Sequence, residues 1–268
     1  MLGMKESPID RQYGRIAFGS DPEGYHAVRP AYPEWVYEIL CDHCGLAQGT
    51  AAFEIGAGTG TATRRLLALG ANPLVAIEPD ERSADFLRRT VGDEALTVVT
   101  APFEDALLCE ASFDLGVSAT AFHWLNEDQA LAKVAGLLRP GGWWAMVWNE
   151  FGDSNRPDPF HEATVALLQG HRSPSAGAGN LPFALDAEAR LAALDRVHAF
   201  DAVQHEARSW SLVLDPDQVA ALYATYSNIN IREDREAVLE ELRRIARDEF
   251  HGQVTRNMIT SLYIARRL

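Results

Sequence analysis

The chain has 268 residues, 47% apolar and 23% charged, enough for one large domain whose core needs no disulfide staples. Its 24 basic residues against 38 acidic ones leave a formal charge of −14, which argues against nucleic-acid and membrane-surface partners. No apolar run reaches the roughly 18 residues of a membrane span, the opening "MLGMKESPIDRQYGR" lacks an apolar signal core, and Cys41, Cys44 and Cys109 suit a reducing, cytoplasmic setting.

Residues 1–30 read as polar and irregular, with aromatics at Tyr13, Phe18 and Tyr25. In "RPAYPEWVYEILCDHCGL" Pro33 suits the first helical position, Trp35, Val36, Ile39 and Leu40 make an apolar stripe, and Gly45 closes the helix. "TAAFEIGAG" is a short strand running into a glycine turn, and "TATRRLLALGA" is a helix stopped at Gly70. "NPLVAIEPD", "ALTVVTAPFED", "FDLGVSATAFHWL" and "WWAMVWNE" follow as strands two to five, with helices in "ERSADFLRRTVG" and "EDQALAKVAGLLRPGG". Such short, continuously apolar strands belong to a parallel sheet covered by helices on both faces. After Glu150 the alternation breaks, and 151–198 reads as an insertion or cap with one short helical stretch, "HEATVALLQ". A strand in "VHAFDAVQHEARSWSL", two helices and a terminal strand in "NMITSLYIARRL" complete the chain, predicting one domain over 1–268.

The glycine turn is the most informative stretch. Its spacing is Gly56, Gly58, Gly60, with Thr61 where a dinucleotide fingerprint has its third glycine, and no phosphate-loop lysine follows. Glu54 stands in the strand before it, and a carboxylate there repels phosphate but attracts an ammonium group. Glu78 lies 22 residues after Gly56, the offset at which a carboxylate receives a ribose diol or merely caps a helix. Together these residues suit a nucleoside ligand with an amino group and no phosphates. The "CDHC" pair at 41–44 has no second pair at ligand spacing, so no metal is expected.

"FEIGAGTG", "AIEPD", "APFED", "FDLGVSATAFHWL" and "LLRPGGWWAMV", in this order, resemble the class I S-adenosylmethionine-dependent methyltransferases. "YHAVRPAYP" and "TSLYIARR" are similar to segments of the small-molecule branch that includes trans-aconitate-type enzymes. The resemblance covers about 10–149 and 200–268. It implies a three-layer, Rossmann-like α/β fold whose seven-stranded sheet is parallel except for its last strand, and S-adenosyl-L-methionine as cofactor. By position, Glu54, Gly56, Ala57 and Gly58 would wrap the methionine moiety, and Glu78 would hold the ribose with Pro79 beside the adenine. Phe103 and Glu104 or Asp105 would contact the adenine, and Ser118 would face the methionine end. Residues 1–45 would form a lid and helix, bringing Tyr25 and Arg29 to the cofactor or to a substrate carboxylate, with Tyr32 on the substrate side. Arg29 has the alternative reading of a surface arginine.

A sulfonium ligand favours aromatic faces, for which Phe122, Trp124 and Tyr25 are candidates. His123, after the fourth strand, is either the general base or a histidine that fixes the loop. Trp148, nearest the carboxyl end of the fifth strand, is a candidate for the substrate pocket. The expected activity is methyl transfer to a small-molecule acceptor. A nicotinamide-dependent oxidoreductase and a cofactor-binding protein without turnover are the rival readings.

Overall fold

A computed structural model describes residues 7–10, 18–177, 179 and 181–268. Residues 1–6 and 11–17 of the predicted lid, Tyr13 among them, and 178 and 180 of the predicted insertion lie outside the described residues.

Seven strands build one sheet: β1 (Thr50–Ile55), β2 (Ala71–Ile77), β3 (Leu96–Val99), β4 (Phe113–Ala119), β5 (Leu138–Phe151), β6 (Phe200–Leu214) and β7 (Val254–Arg267). Their order across the sheet is β3-β2-β1-β4-β5-β7-β6. The first five pair in parallel, and β7 runs antiparallel to both of its neighbours. This is the expected three-layer, Rossmann-like arrangement. The chain leaves β1 toward β2 and β3 on one side and returns to β4 and β5 on the other. The crevice at that reversal, outside the carboxyl ends of the strands, is where such sheets bind ligands.

The described helices are α1 (Pro22–Val28), α2 (Glu34–Asp42), α3 (Thr61–Ala68), α4 (Glu81–Val91), α5 (Glu127–Leu137), α6 (Pro159–Thr164), α7 (Ala187–Arg196), α8 (Pro216–Tyr223), α9 (Ser227–Asn230) and α10 (Arg235–Asp248). Strand alternation divides the core between the two faces of the sheet. Phe53, Ile55, Trp144, Met146 and Trp148 pack with Leu131 and Val134 of α5 and Leu194 of α7. Ala52, Leu115, Val117, Ala145 and Val147 pack with Trp35, Val36 and Leu40 of α2 and Leu66 of α3. A third cluster joins α6, α8 and α10 around Phe160, Leu222 and Leu242, beside the ends of β6 and β7. Beneath it the buried Arg256 forms an ion pair with Asp158 at 2.9 Å.

The structure redraws several sequence boundaries. The fourth strand stops at Ala119, where Thr120, at φ +56, leaves the extended region and turns the chain. Phe122–Trp124 is instead a single 3-10 turn. β5 begins at Leu138, which pairs in parallel with Phe113 of β4, and its antiparallel ladder with β7 carries it on to Phe151. The helices α1 and α7 have no counterpart in the sequence reading, where glycines and prolines around 170–182 masked the second.

Candidate functional site

At the carboxyl edge of the sheet lies a cavity of about 290 Å³. Its first wall is the turn after β1. Gly56 has φ +69, and a Cβ there would lie 2.3 Å from the Cβ of Ala121, so only glycine lets the turn pass beneath the loop after β4. Gly58, at φ +55, would carry a Cβ into open space. Its N–H donates to Oε2 of Glu78 at 2.8 Å, while the Asp80 N–H donates to Oε1 at 2.9 Å. Asp80 in turn caps α4 by accepting from the N–H groups of Arg82 and Ser83. Glu78 is thus clamped between the turn and the head of α4. Burial pushes its carboxyl up to about 7, with the two backbone N–H donors pulling the other way.

The opposite wall comes from residues after β4 and at the end of β5. The Trp148 indole N–H donates to Nδ1 of His123 at 3.1 Å. Phe183 packs on both rings, at 6.2 Å from His123 and 5.7 Å from Trp148. With Nδ1 accepting, the proton of a neutral imidazole sits on Nε2. In that tautomer Nε2 is the donor, and the bond to Trp148 fixes the ring against β5. Thr120 is held in its left-handed conformation by its N–H to the Val147 carbonyl at 2.7 Å and by a 2.7 Å bond between its hydroxyl and that of Tyr32.

Asn149 ties the segment between α1 and α2 to the sheet: its Nδ2 donates to the carbonyls of Pro30 and Ala31 at 3.3 and 3.2 Å. That tether brings α1 to the cavity mouth. The Arg29 guanidinium lies 5.1 Å from the ring centroids of Tyr25 and Tyr226 and 5.7 Å from that of Phe151. Its Nη2 donates to the Thr225 carbonyl at 3.2 Å, and its buried Nε has no hydrogen-bond partner among the described residues. Glu150 faces the same space. Burial pushes its carboxyl up to about 8, and the nearby Arg29 opposes the shift.

Of the residues singled out from sequence, Tyr25, Arg29, Gly56, Gly58, Glu78, Pro79, Phe103, His123, Trp124 and Trp148 come together on this one cavity. Others lie off its wall. Glu54 shares a strand face with Ala52, so it turns toward α3 and accepts from the Thr63 hydroxyl at 2.6 Å. It is buried, and desolvation lifts its carboxyl to about 8. Ser118 is buried with its hydroxyl on the Ile55 carbonyl at 3.1 Å. Ala57 packs with Ala76 and Leu87, and Phe122 lies in the core against Trp144. Glu104 and Asp105 are exposed at the surface, and Tyr32 reaches the cavity wall through Thr120.

Sequence reasoning passed over Thr120, Asn149, Glu150, Phe151 and Tyr226, all of which line the cavity. A signal existed for Asn149 and Glu150, which end a strand at the edge where such sheets bind ligands. Tyr226 had none, because it arrives from a helix pair far along the chain. Cys41 and Cys44 pack with the α2 side of the core, and burial raises the Cys44 thiol to about 12. Among the described residues no group of His, Cys, Asp and Glu is arranged to hold a metal, and no helix is long and apolar enough to cross a membrane.

A family described as "Methyltransferase domain" matches residues 53–146. An uncharacterized methyltransferase-like protein of Schizosaccharomyces pombe is 27% identical over 235 residues, covering 86% of each chain. An uncharacterized methyltransferase of Mycobacterium tuberculosis is 34% identical over 134 residues, and that match spans 50% of this chain and 52% of the relative. Among solved structures, phosphoethanolamine N-methyltransferase 2 of Haemonchus contortus, in complex with S-adenosylhomocysteine, has the same fold with a TM-score of 0.56. It is 13% identical, covering 92% of this chain and 57% of that one. In its strand order, in the glycine turn at the sheet reversal and in these likenesses, the chain is similar to S-adenosylmethionine-dependent methyltransferases.

Proposed function

We propose that the chain methylates a small-molecule acceptor, with donor and acceptor meeting in the single cavity at the carboxyl edge of the sheet. The observation that carries this reading is the continuity of that cavity, from the Gly56–Glu78 wall to the Trp148–Tyr226 wall. The residues fit the cofactor. Gly58 leaves open space where any other residue would project, and Glu78 presents a carboxylate beside Pro79 and Phe103. In this reading Glu78 receives the ribose hydroxyls, Phe103 and Pro79 flank the adenine, and the backbone of Gly56 and Gly58 lies along the methionine moiety. Glu54, through Thr63, and Ser118, through the Ile55 carbonyl, brace the turn from behind.

S-adenosylmethionine supplies a methyl group already activated on a sulfonium, so the protein's task is alignment and exclusion of water. Trp148, Trp124 and Phe151 wall off the acceptor end, and His123 orients the acceptor by donating from Nε2. Arg29 is the group that would meet a carboxylate, of cofactor or acceptor. The charge of −14 and the modest cavity favour a small molecule over nucleic acid. The likeness of "YHAVRPAYP" and "TSLYIARR" to the trans-aconitate-type branch supports placing the chain there.

Calorimetric titration with S-adenosylhomocysteine and with NADH tests the cofactor half, and binding of NADH alone would refute it. Transfer of radiolabel from methyl-labelled S-adenosylmethionine to pooled small molecules, but not to RNA or protein, is the expected result for the acceptor half. Labelling of macromolecules only would overturn it.

A further inference from the structure

We infer that Glu150 is the counter-charge of the cofactor's sulfonium, the carboxylate that makes this site prefer the cationic methyl donor to its neutral thioether product. The inference rests on the cofactor reading above and adds a residue that the sequence motifs do not single out.

Two acidic residues line the cavity, Glu78 and Glu150. Glu78 accepts from the N–H groups of Gly58 and Asp80, one on each oxygen, and in the cofactor reading its remaining acceptor capacity goes to the ribose hydroxyls. Glu150 has no hydrogen-bond donor on its carboxylate and no closed ion pair among the described residues. Its electrostatic partner is Arg29, across the same space. That guanidinium is boxed by the rings of Tyr25, Tyr226 and Phe151 and bound to the Thr225 carbonyl, so it is held in place without being neutralised. A cavity with a fixed cation and an acidic side chain that ionises when a cation enters is built for a ligand that carries both signs. Arg29 would take the anionic end, leaving Glu150 a cationic one.

A sulfonium has no hydrogen to donate, so only charge and aromatic surface can recognise it. Glu150 offers the charge, and Trp148, Phe151 and Tyr226 form a surround of low dielectric in which one charge pair counts for more than in water. The ionisable groups that line the cavity with Glu150 are Tyr25 of α1, Arg29 at its end, Glu78, His123 and Tyr226 from the turn between α8 and α9, of which Arg29 and Tyr226 interact with it. From β7 its register partner is the apolar Ile259. With burial pushing the Glu150 carboxyl up to about 8, the protein without ligand carries a proton there at neutral pH. Entry of a cation expels that proton, whereas entry of a thioether leaves it in place.

The test is calorimetric titration of the full chain and of Glu150→Gln with S-adenosylmethionine and with S-adenosylhomocysteine at pH 7, in two buffers of different ionisation heat. The wild type is expected to release more protons with the methyl donor than with the product. Glu150→Gln should lose at least about tenfold in affinity for the donor, keep its affinity for the product, and abolish the difference in proton release. Glu150→Asp, which keeps the charge, should retain the preference and guards against a folding defect in the amide variant. An equal effect on both ligands, or none on either, overturns the inference while leaving the cofactor reading intact. A wild type that binds neither ligand overturns the cofactor reading and this inference together.

Discussion

At the scale of single residues, side-chain direction decides what each candidate can do. Glu54 and Glu78 both end strands beside the glycine turn, yet only Glu78 reaches the cavity, because alternation sends Glu54 with Ala52 toward α3. Replacing Glu78 by Ala leaves the N–H groups of Gly58 and Asp80 unpaired, at a cost of about 1–3 kcal/mol. It is also expected to abolish binding of S-adenosylhomocysteine. Chemical denaturation and calorimetry measure the two effects, and undiminished binding would remove Glu78 from the ribose role. For His123 the expected neutral form carries its proton on Nε2, since the Trp148 indole occupies Nδ1. Nitrogen NMR of histidine-labelled protein reads the tautomer directly. A proton on Nδ1 would overturn this assignment.

At the scale of elements, the turn between β1 and α3 joins two constraints that separate variants can pull apart. Gly56→Ala brings a Cβ to 2.3 Å from Ala121 and places alanine at φ +69, so it should cost several kcal/mol and lower Tm strongly. Gly58→Ala pays only for φ +55, about 1–2 kcal/mol, and meets no atom within 4 Å. It should spare most of the stability while its methyl intrudes on the cofactor's path. Thermal melts with and without S-adenosylhomocysteine distinguish the two, and equal melting temperatures for both variants would contradict the packing argument. The fourth strand shows where element boundaries escape local reading: "SATAFHW" is apolar enough to continue, but the left-handed Thr120, tied to Tyr32 and Val147, ends it. That break turns His123 and Trp124 onto the cavity wall.

At the scale of the whole molecule, burial has collected carboxyls that prefer to stay protonated. Glu54 and Glu150 are raised to about 8, and Glu78 and Glu127 to about 7, each chiefly by desolvation. Between about pH 5 and 8 the folded chain therefore holds protons that the unfolded chain has released, and stability falls as pH rises through that window. Self-repulsion of a chain with formal charge −14 acts in the same direction. Ligand-free protein should melt at least a few degrees lower at about pH 8.5 than at about pH 5.5 in scanning calorimetry. A higher Tm at the alkaline pH would show that these groups are ionised in the fold. The Asp158–Arg256 pair is a second global element, buried under α8 and α10. Arg256→Met strands the carboxylate and should cost about 3–5 kcal/mol, measured by denaturant unfolding.

The alternation of short apolar strands with helices, the glycine turn and Glu78 were all legible in the sequence. Each is a local pattern: a period, a spacing, or a residue type demanded by a backbone angle. The class of fold and the Gly56–Glu78 wall of the cavity followed from them. Only the tertiary structure decided the opposite wall of the cavity, where Arg29 at the end of α1, Glu150 from β5 and Tyr226 from the turn after α8 meet across nearly two hundred residues of chain. No local period records such a meeting. It depends on sheet order, on which face each strand residue takes, and on the Asn149 tether that brings α1 to the cavity mouth.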